Sequence, residues 1–286
     1  MTTNAAATKK MHIGGIAKKT GLYVLLIAGA LLFTFPFLWM LSTSLKPEME
    51  VFRFPPQWIP RPPKWSNYVE ALTILPFDLF FRNTLTITVN NVIGNLISCS
   101  LVAFGFARLE SRFSNFLFIL LLSTMMVPYQ VTIIPMFVLF HHLGWVDTFK
   151  PLMIPPWFGY PFFIFILRQF FMTIPLELDD AARIDGCSTW RIYWNVILPL
   201  AKPAMTTVAV LGFLGNWNDF MGPLIYISSQ EKYTLAIGLT LFRGQYMSNI
   251  AYLMAASVAT VLPVILIFFF AQRYFIEGMT LTGIKG

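Results

Sequence analysis

The sequence predicts an all-α, polytopic membrane protein of six helices with one charged loop set between them. Three observations carry that expectation. Of 286 residues, 57% are hydrophobic and only 12% charged, and the mean hydropathy is +0.67, a composition outside the range of soluble domains. The apolar residues gather in runs of about 18 to 27 residues, the length needed to cross a hydrocarbon layer of ~30 Å. The charges lie between the runs and are densest from 173 to 204. The net charge of +7 is therefore read as topology, and a nucleic-acid partner is not expected.

The first run, 21–45, has no charge and follows Lys9, Lys10, Lys18 and Lys19. It is longer than a signal-peptide core of about 7 to 15 residues, so it reads as a span with a cytosolic N-terminus. The loop from 46 to 81 is rich in proline and aromatics. Its prolines exclude a long helix and suggest a small cap outside the cytoplasm. The second span, 83–107, carries Asn90, Asn91 and Asn95. Amides in hydrocarbon need partners, so these face other helices or a water-filled path.

Arg108, Glu110 and Arg112 mark a cytosolic turn before a third span at 114–140. His141 and His142 then sit at the outer interface, and Asp147 and Lys150 in an external loop. The fourth span, 155–172, is interrupted by Pro155, Pro156 and Pro161, with Arg168 reaching the cytosolic interface. Cys99 and Cys187 are too far apart in this topology for a disulfide, and no Cys/His spacing suggests a metal site.

The loop at 173–203 reads as two short helices broken at Gly186. Pro175 suits a first helical position, and Glu177, Asp179 and Asp180 face the positive end of the helix dipole. Arg183 is spaced to pair with both Asp179 and Asp180. Leu178, Ala181 and Ala182 form a narrow face of mostly small residues. Gly186 stops the first helix and Ser188 caps the second. Trp190, Tyr193 and Trp194 are expected to anchor that second helix on the bundle, and Pro199 and Pro203 mark its end and the next start. The fifth span, 203–227, contains Asn216, Trp217, Asn218, Asp219 and Phe220. A carboxylate beside amides and aromatics inside an apolar helix is a candidate transport site, and aromatic faces with amides suit a polyol. The sixth span is 250–271, followed by a polar tail from Glu277.

The run Glu177, Asp180-Ala181-Ala182, Ile184-Asp185-Gly186 and Ile197-Leu198-Pro199 resembles the EAA loop of the membrane subunits of ABC importers. Asp180 stands where that motif usually has Glu. Trp217-Asn218-Asp219-Phe220 looks like the carbohydrate branch of the family, and the tail EGMTLTGIKG resembles the second permease subunit of maltose-type importers. The resemblance implies a coupling helix that docks in a cleft of an ATPase subunit through Glu177, Asp180, Ala181, Ala182, Asp185, Gly186, Leu198 and Pro199. It implies a prokaryotic inner-membrane location with both termini cytoplasmic. Its implied partners are a second homologous permease, two copies of an ATPase subunit and an extracytoplasmic solute-binding protein. The substrate path is expected at Asn216, Trp217, Asn218, Asp219 and Phe220 with Asn90, Asn91 and Asn95.

The chain has no G-x-x-x-x-G-K-[ST], so it is not expected to be an enzyme, and ATP and Mg belong to the partner subunits rather than to a cofactor site here. The function expected is translocation of a sugar, oligosaccharide or related polyol. The alternatives are an ion-coupled secondary carrier using Asp219, or an ABC permease for another solute such as glycerol phosphate.

Overall fold

The computed structural model describes the backbone of residues 3–109, 111–244 and 247–283, and the side chains of 18–109, 111–243, 249–270 and 272. Glu110 and the side chains of Lys9, Lys10 and the 277–286 tail lie outside the described residues. Among those described the fold is helical apart from the two-residue strands Arg243–Gly244 and Met247–Ser248. The helices are α1 (Thr3–Ser44), α2 (Ser66–Ile74), α3 (Phe77–Arg108), α4 (Ser114–Ser123), α5 (Tyr129–His142), α6 (Lys150–Met153), α7 (Pro161–Phe171), α8 (Glu177–Ile184), α9 (Thr189–Ile192), α10 (Leu198–Leu200), α11 (Lys202–Trp217), α12 (Met221–Tyr226), α13 (Leu235–Thr240) and α14 (Ile250–Gly283).

Three stretches, Lys18–Ser44, Phe77–Arg108 and Ile250–Phe270, are long and apolar enough to cross a membrane. Two further pairs qualify only when joined across a bend: Ser114–Met126 with Tyr129–His142 at 96°, and Thr189–Leu200 with Lys202–Trp217 at 77°. The expected third span is thus not one straight helix. Pro128 lacks the N–H that would continue it, and the residue before a proline is pushed to extended backbone, which Val127 adopts at φ −79°, ψ 114°. The expected fourth span departs further. Its prolines give a 3-10 turn at Pro155–Phe158, Gly159 turns the chain at φ +93°, and α7 follows with only 11 residues. At 1.5 Å per residue α7 is about 16 Å long, roughly half a bilayer core. The expected fifth span breaks at Asn218–Phe220 into α11 and the six-residue α12. The last helix continues to Gly283, through the stretch expected to be a polar tail.

The chain divides into two compact units, 1–71 with 245–259 and 72–244 with 260–286. In the first, the proline-rich loop is ordered by specific polar contacts. Glu48 accepts from the backbone N–H groups of Ile250 (3.0 Å) and Ala251 (2.9 Å), satisfying donors that the start of α14 leaves free. Asn67 donates to the carbonyls of Ser44 and Lys46, both at 2.8 Å, and the Tyr252 hydroxyl donates to Glu70. The second unit is built on α3, against which α7 and α11 pack. Its core joins Phe104, Phe163, Leu167, Phe171, Ile192, Tyr193, Ile197 and Val208 with the small residues Ala103, Ala201 and Ala204. Lipid tails are as apolar as these side chains, so burial alone does not favour the bundle. Close packing and interhelical hydrogen bonds do, and small residues permit the approach.

Candidate functional site: the charged loop and the asparagine cavity

The loop at 173–203 folds as its local signals require, and a Schellman motif ends its first helix. The Cys187 N–H donates to the Ala182 carbonyl (2.9 Å) and the Gly186 N–H to the Arg183 carbonyl (3.0 Å), with Gly186 at φ +78°. Ser188 Oγ accepts from the Arg191 N–H at 3.4 Å, capping α9 as expected. Pro175 itself falls outside α8, which begins at Glu177 behind a cap at Leu176.

The orientation of α8 differs from the expected Leu178/Ala181/Ala182 face. Ala182 turns inward and packs on the core, whereas Leu178 and Ala181 are exposed. The residue facing most directly into the protein is Asp179. It meets Arg108, the last residue of α3, with Nε and Oδ2 3.4 Å apart and side chains 2% and 4% exposed. Arg108 Nη2 also donates to the Ile174 carbonyl at 2.7 Å. Among the described residues Arg183 therefore pairs only with Asp180, at 3.2 Å and largely in solvent, where an ion pair contributes little. Glu177, Asp180, Ala181, Ile184 and Asp185 remain exposed, Ile184 at 88%.

The three expected aromatic anchors reduce to one. Tyr193 is buried and hydrogen-bonded to Ser100 Oγ at 2.7 Å. Trp190 and Trp194 are 62% and 58% exposed. A π-helical turn at Tyr193–Ile197 brings the tyrosine inward, and Leu198 packs on the core while Pro199 is exposed in α10.

The amides are divided between bracing and a cavity. Asn90 donates to the Met153 carbonyl (2.8 Å) and Asn91 to that of Leu152 (2.9 Å), satisfying carbonyls at the end of α6. Asn91 also donates to Asn216 Oδ1, and Asn216 in turn to the Gly212 carbonyl at 2.7 Å. These three tie α3, α6 and α11 together. Asn95 differs: it is buried, and its Oδ1 has no hydrogen-bond partner among the described residues. It lines a cavity of about 500 Å³ together with Tyr160, Phe162, Gly215 and Asn216.

The five residues from 216 to 220 do not form one site. Trp217 is 2% exposed, stacks on Phe213 at 5.1 Å and donates through Nε1 to the Thr260 carbonyl at 3.1 Å. It is a packing residue. Asn218 is exposed and donates to the Leu214 carbonyl (2.8 Å). Asp219 is not inside a helix but between two: its Oδ1 accepts from the Gly222 N–H at 3.1 Å as α12 begins. A Cβ at Gly222 would stand 2.5 Å from Asp219 Oδ2, so glycine leaves room for the carboxylate. Phe220 is half-buried in the break. Sequence reasoning missed the partnership of Asp179 with Arg108, for which proximity in sequence gives no signal.

Residues 94–280 match the model of the family described as binding-protein-dependent transport system inner membrane component. The arabinooligosaccharides transport system permease protein AraQ of Bacillus subtilis is 35% identical over 261 residues, covering 90% of this chain and 92% of that protein. The probable starch degradation products transport system permease protein AmyC of Thermoanaerobacterium thermosulfurigenes is 31% identical over 277 residues, 97% of this chain and 99% of its own length. Among solved structures, a bacterial ABC transporter involved in the import of the acidic polysaccharide alginate contains a chain that matches with a TM-score of 0.79 at 25% identity, covering 92% of this chain and 97% of that one. With a family model covering most of its length and relatives aligned nearly end to end, the chain belongs to the family of binding-protein-dependent transport system inner membrane components.

Proposed function

We propose that this chain is the membrane-spanning permease subunit of an ATP-driven importer that takes up a sugar or oligosaccharide handed over by an extracytoplasmic binding protein. Family membership supports the transport role, and the names of the relatives support the substrate class. The observation on this chain that carries the ATP-driven reading is the exposed face of α8, Glu177, Asp180, Ala181 and Ile184, set outward by the Gly186 stop. Such a face suits a cleft on a separate ATPase subunit, which binds ATP and Mg. A second permease and two ATPase subunits complete the assembly, with six crossings in this chain and both its ends on the ATPase side. In this reading, the cavity beside Asn95, Gly215 and Asn216 borders the path. Asn90, Asn91 and Trp217 support its walls. Nothing in the geometry favours an ion-coupled carrier working through Asp219, whose carboxylate binds the backbone of α12.

Co-expression with the neighbouring transport genes and purification of the complex tests this reading. Retention of an ATPase subunit, with hydrolysis stimulated by a binding protein loaded with an arabinooligosaccharide or a starch-derived oligosaccharide, is the expected result. A chain that purifies alone and moves solute without ATP would exclude it.

A further inference from the structure

The Arg108–Asp179 pair stands apart from the other ion pairs among the described residues. The rest are at least a third exposed on each side or nearly so, whereas this one is enclosed. It is also incomplete. Asp179 Oδ1 and Arg108 Nε are buried and make no hydrogen bond among the described residues; Nε lies 3.4 Å from Oδ2, outside hydrogen-bond geometry. A guanidinium offers a planar fork that matches a carboxylate in two parallel bonds, and the position seen here uses neither. Beside the pair is a cleft of about 460 Å³ bordered by Leu109, Leu176, Asp180 and Arg183, which leaves the side chains room to shift.

The pair joins two elements of different character. On one side is the end of α3, the 32-residue helix on which the second unit is built and the carrier of Asn91 and Asn95. On the other is α8, eight residues long, which touches the core through Ala182 and presents its opposite face to solvent. A force applied to that outer face can pass to α3 through Arg108, which holds both α8, through Asp179, and the chain entering it, through the Ile174 carbonyl.

We propose that Arg108 and Asp179 are positioning residues for transport, forming the link by which displacement of α8 moves α3 and, with it, the asparagine cavity. This inference rests on the permease reading above. Movement of α8 toward α3 brings Oδ1 and Oδ2 into register with the guanidinium fork, so the pair has a looser and a tighter arrangement. A buried charge that loses its partner is costly, so the two ends stay together while both move.

The test uses the complete complex with its ATPase subunits, with Cys99→Ala and Cys187→Ala as background. Gly215→Cys serves as a reporter, because it lines the cavity and a side chain there meets open space. The rate of its reaction with a methanethiosulfonate reagent is measured without nucleotide and after trapping with ATP and vanadate. In the background complex the two rates are expected to differ, and equal rates would overturn the proposed movement of the cavity. In Asp179→Asn or Arg108→Gln, the expected result is that the ATPase subunits remain bound while the nucleotide-dependent difference shrinks by about tenfold, the scale of a typical site-to-site coupling. Arg183→Gln, on the exposed pair, leaves the difference intact. If the single variants do not assemble, the exchanged pair Arg108→Asp with Asp179→Arg is scored, and recovery of the nucleotide response supports the link. An undiminished response in Asp179→Asn, or an assembled exchanged pair that gives none, overturns it. Failure of the unmodified chain to retain ATPase subunits would instead remove the permease reading, and so separates the two.

Discussion

Asn91 on α3 donates to the side-chain oxygen of Asn216 on α11, residues separated by 125 positions in the chain. The same amide also holds the Leu152 carbonyl at the end of α6, so one side chain satisfies groups on two other elements. Removing it leaves an acceptor buried without a donor, at a cost of about 1–3 kcal/mol in water and toward the lower figure in a bilayer. Asn91→Ala is therefore expected to lower the unfolding midpoint of the detergent-solubilised protein, with Asn90→Ala having a smaller effect. An Asn91→Ala protein as stable as the unmodified one would show that the bridge carries no weight.

Gly186 tests the loop separately from its surroundings. An added Cβ meets nothing within 4 Å, so any penalty comes from the backbone at φ +78° alone. For a β-branched residue that is on the order of 1–2 kcal/mol, whereas asparagine visits this region readily. Gly186→Val is expected to insert normally but lose its ATPase subunits and its transport, and Gly186→Asn to retain both. Equal behaviour of the two variants in co-purification would detach the turn from docking.

At Asp219, charge and hydrogen bonding can be separated. Asparagine keeps an acceptor for the Gly222 N–H, and alanine does not. Asp219→Asn is expected to assemble with reduced uptake, and Asp219→Ala to lose stability as well, by about 1 kcal/mol for a lost cap. Wild-type uptake by the asparagine variant, measured in proteoliposomes, would exclude a role for the charge.

Asp147 sets a pH dependence. Its carboxylate is held well below the usual range by Lys232, which lies at 2.8 Å, then by the Ser229 hydroxyl and the backbone N–H groups of Ser229 and Ser228. A depressed carboxylate contributes stability that is fully present above its unfolded pKa of about 3.9 and is lost as pH falls from there through the folded value. Between pH 7 and 5 this contribution should be flat. Below about pH 4 the unmodified protein should lose stability more steeply than Asp147→Asn, which has no proton to take up. Parallel acid denaturation curves for the two would contradict the assignment.

Topology is open to direct measurement. A cysteine introduced at Asp185 is exposed on the loop but expected to face the cytosol, so an impermeant thiol reagent should leave it unlabelled in intact cells and label it after lysis. Ready labelling from outside would invert the orientation.

The sequence determined on its own those features whose causes lie within a turn or two of chain. The Gly186 stop and the Ser188 cap depend on bonds between residues three to five apart, so residue type and spacing are sufficient to read them. The long apolar stretches were legible for the same reason, as were the asparagines within α3. The bend at Pro128 also has a local cause, but uniform hydropathy on both sides conceals it. What only the tertiary structure decided is which partner each polar group takes. By spacing, Arg183 suits Asp179 as well as Asp180, yet Arg108 claims Asp179 because α8 turns that residue inward. Likewise Trp217 had the composition of a sugar platform and became a wall of the bundle, its indole N–H drawn to the Thr260 carbonyl. In a nonpolar interior an unpaired donor or acceptor is costly, so most find partners, and when those partners come from distant segments the packing of helices chooses them.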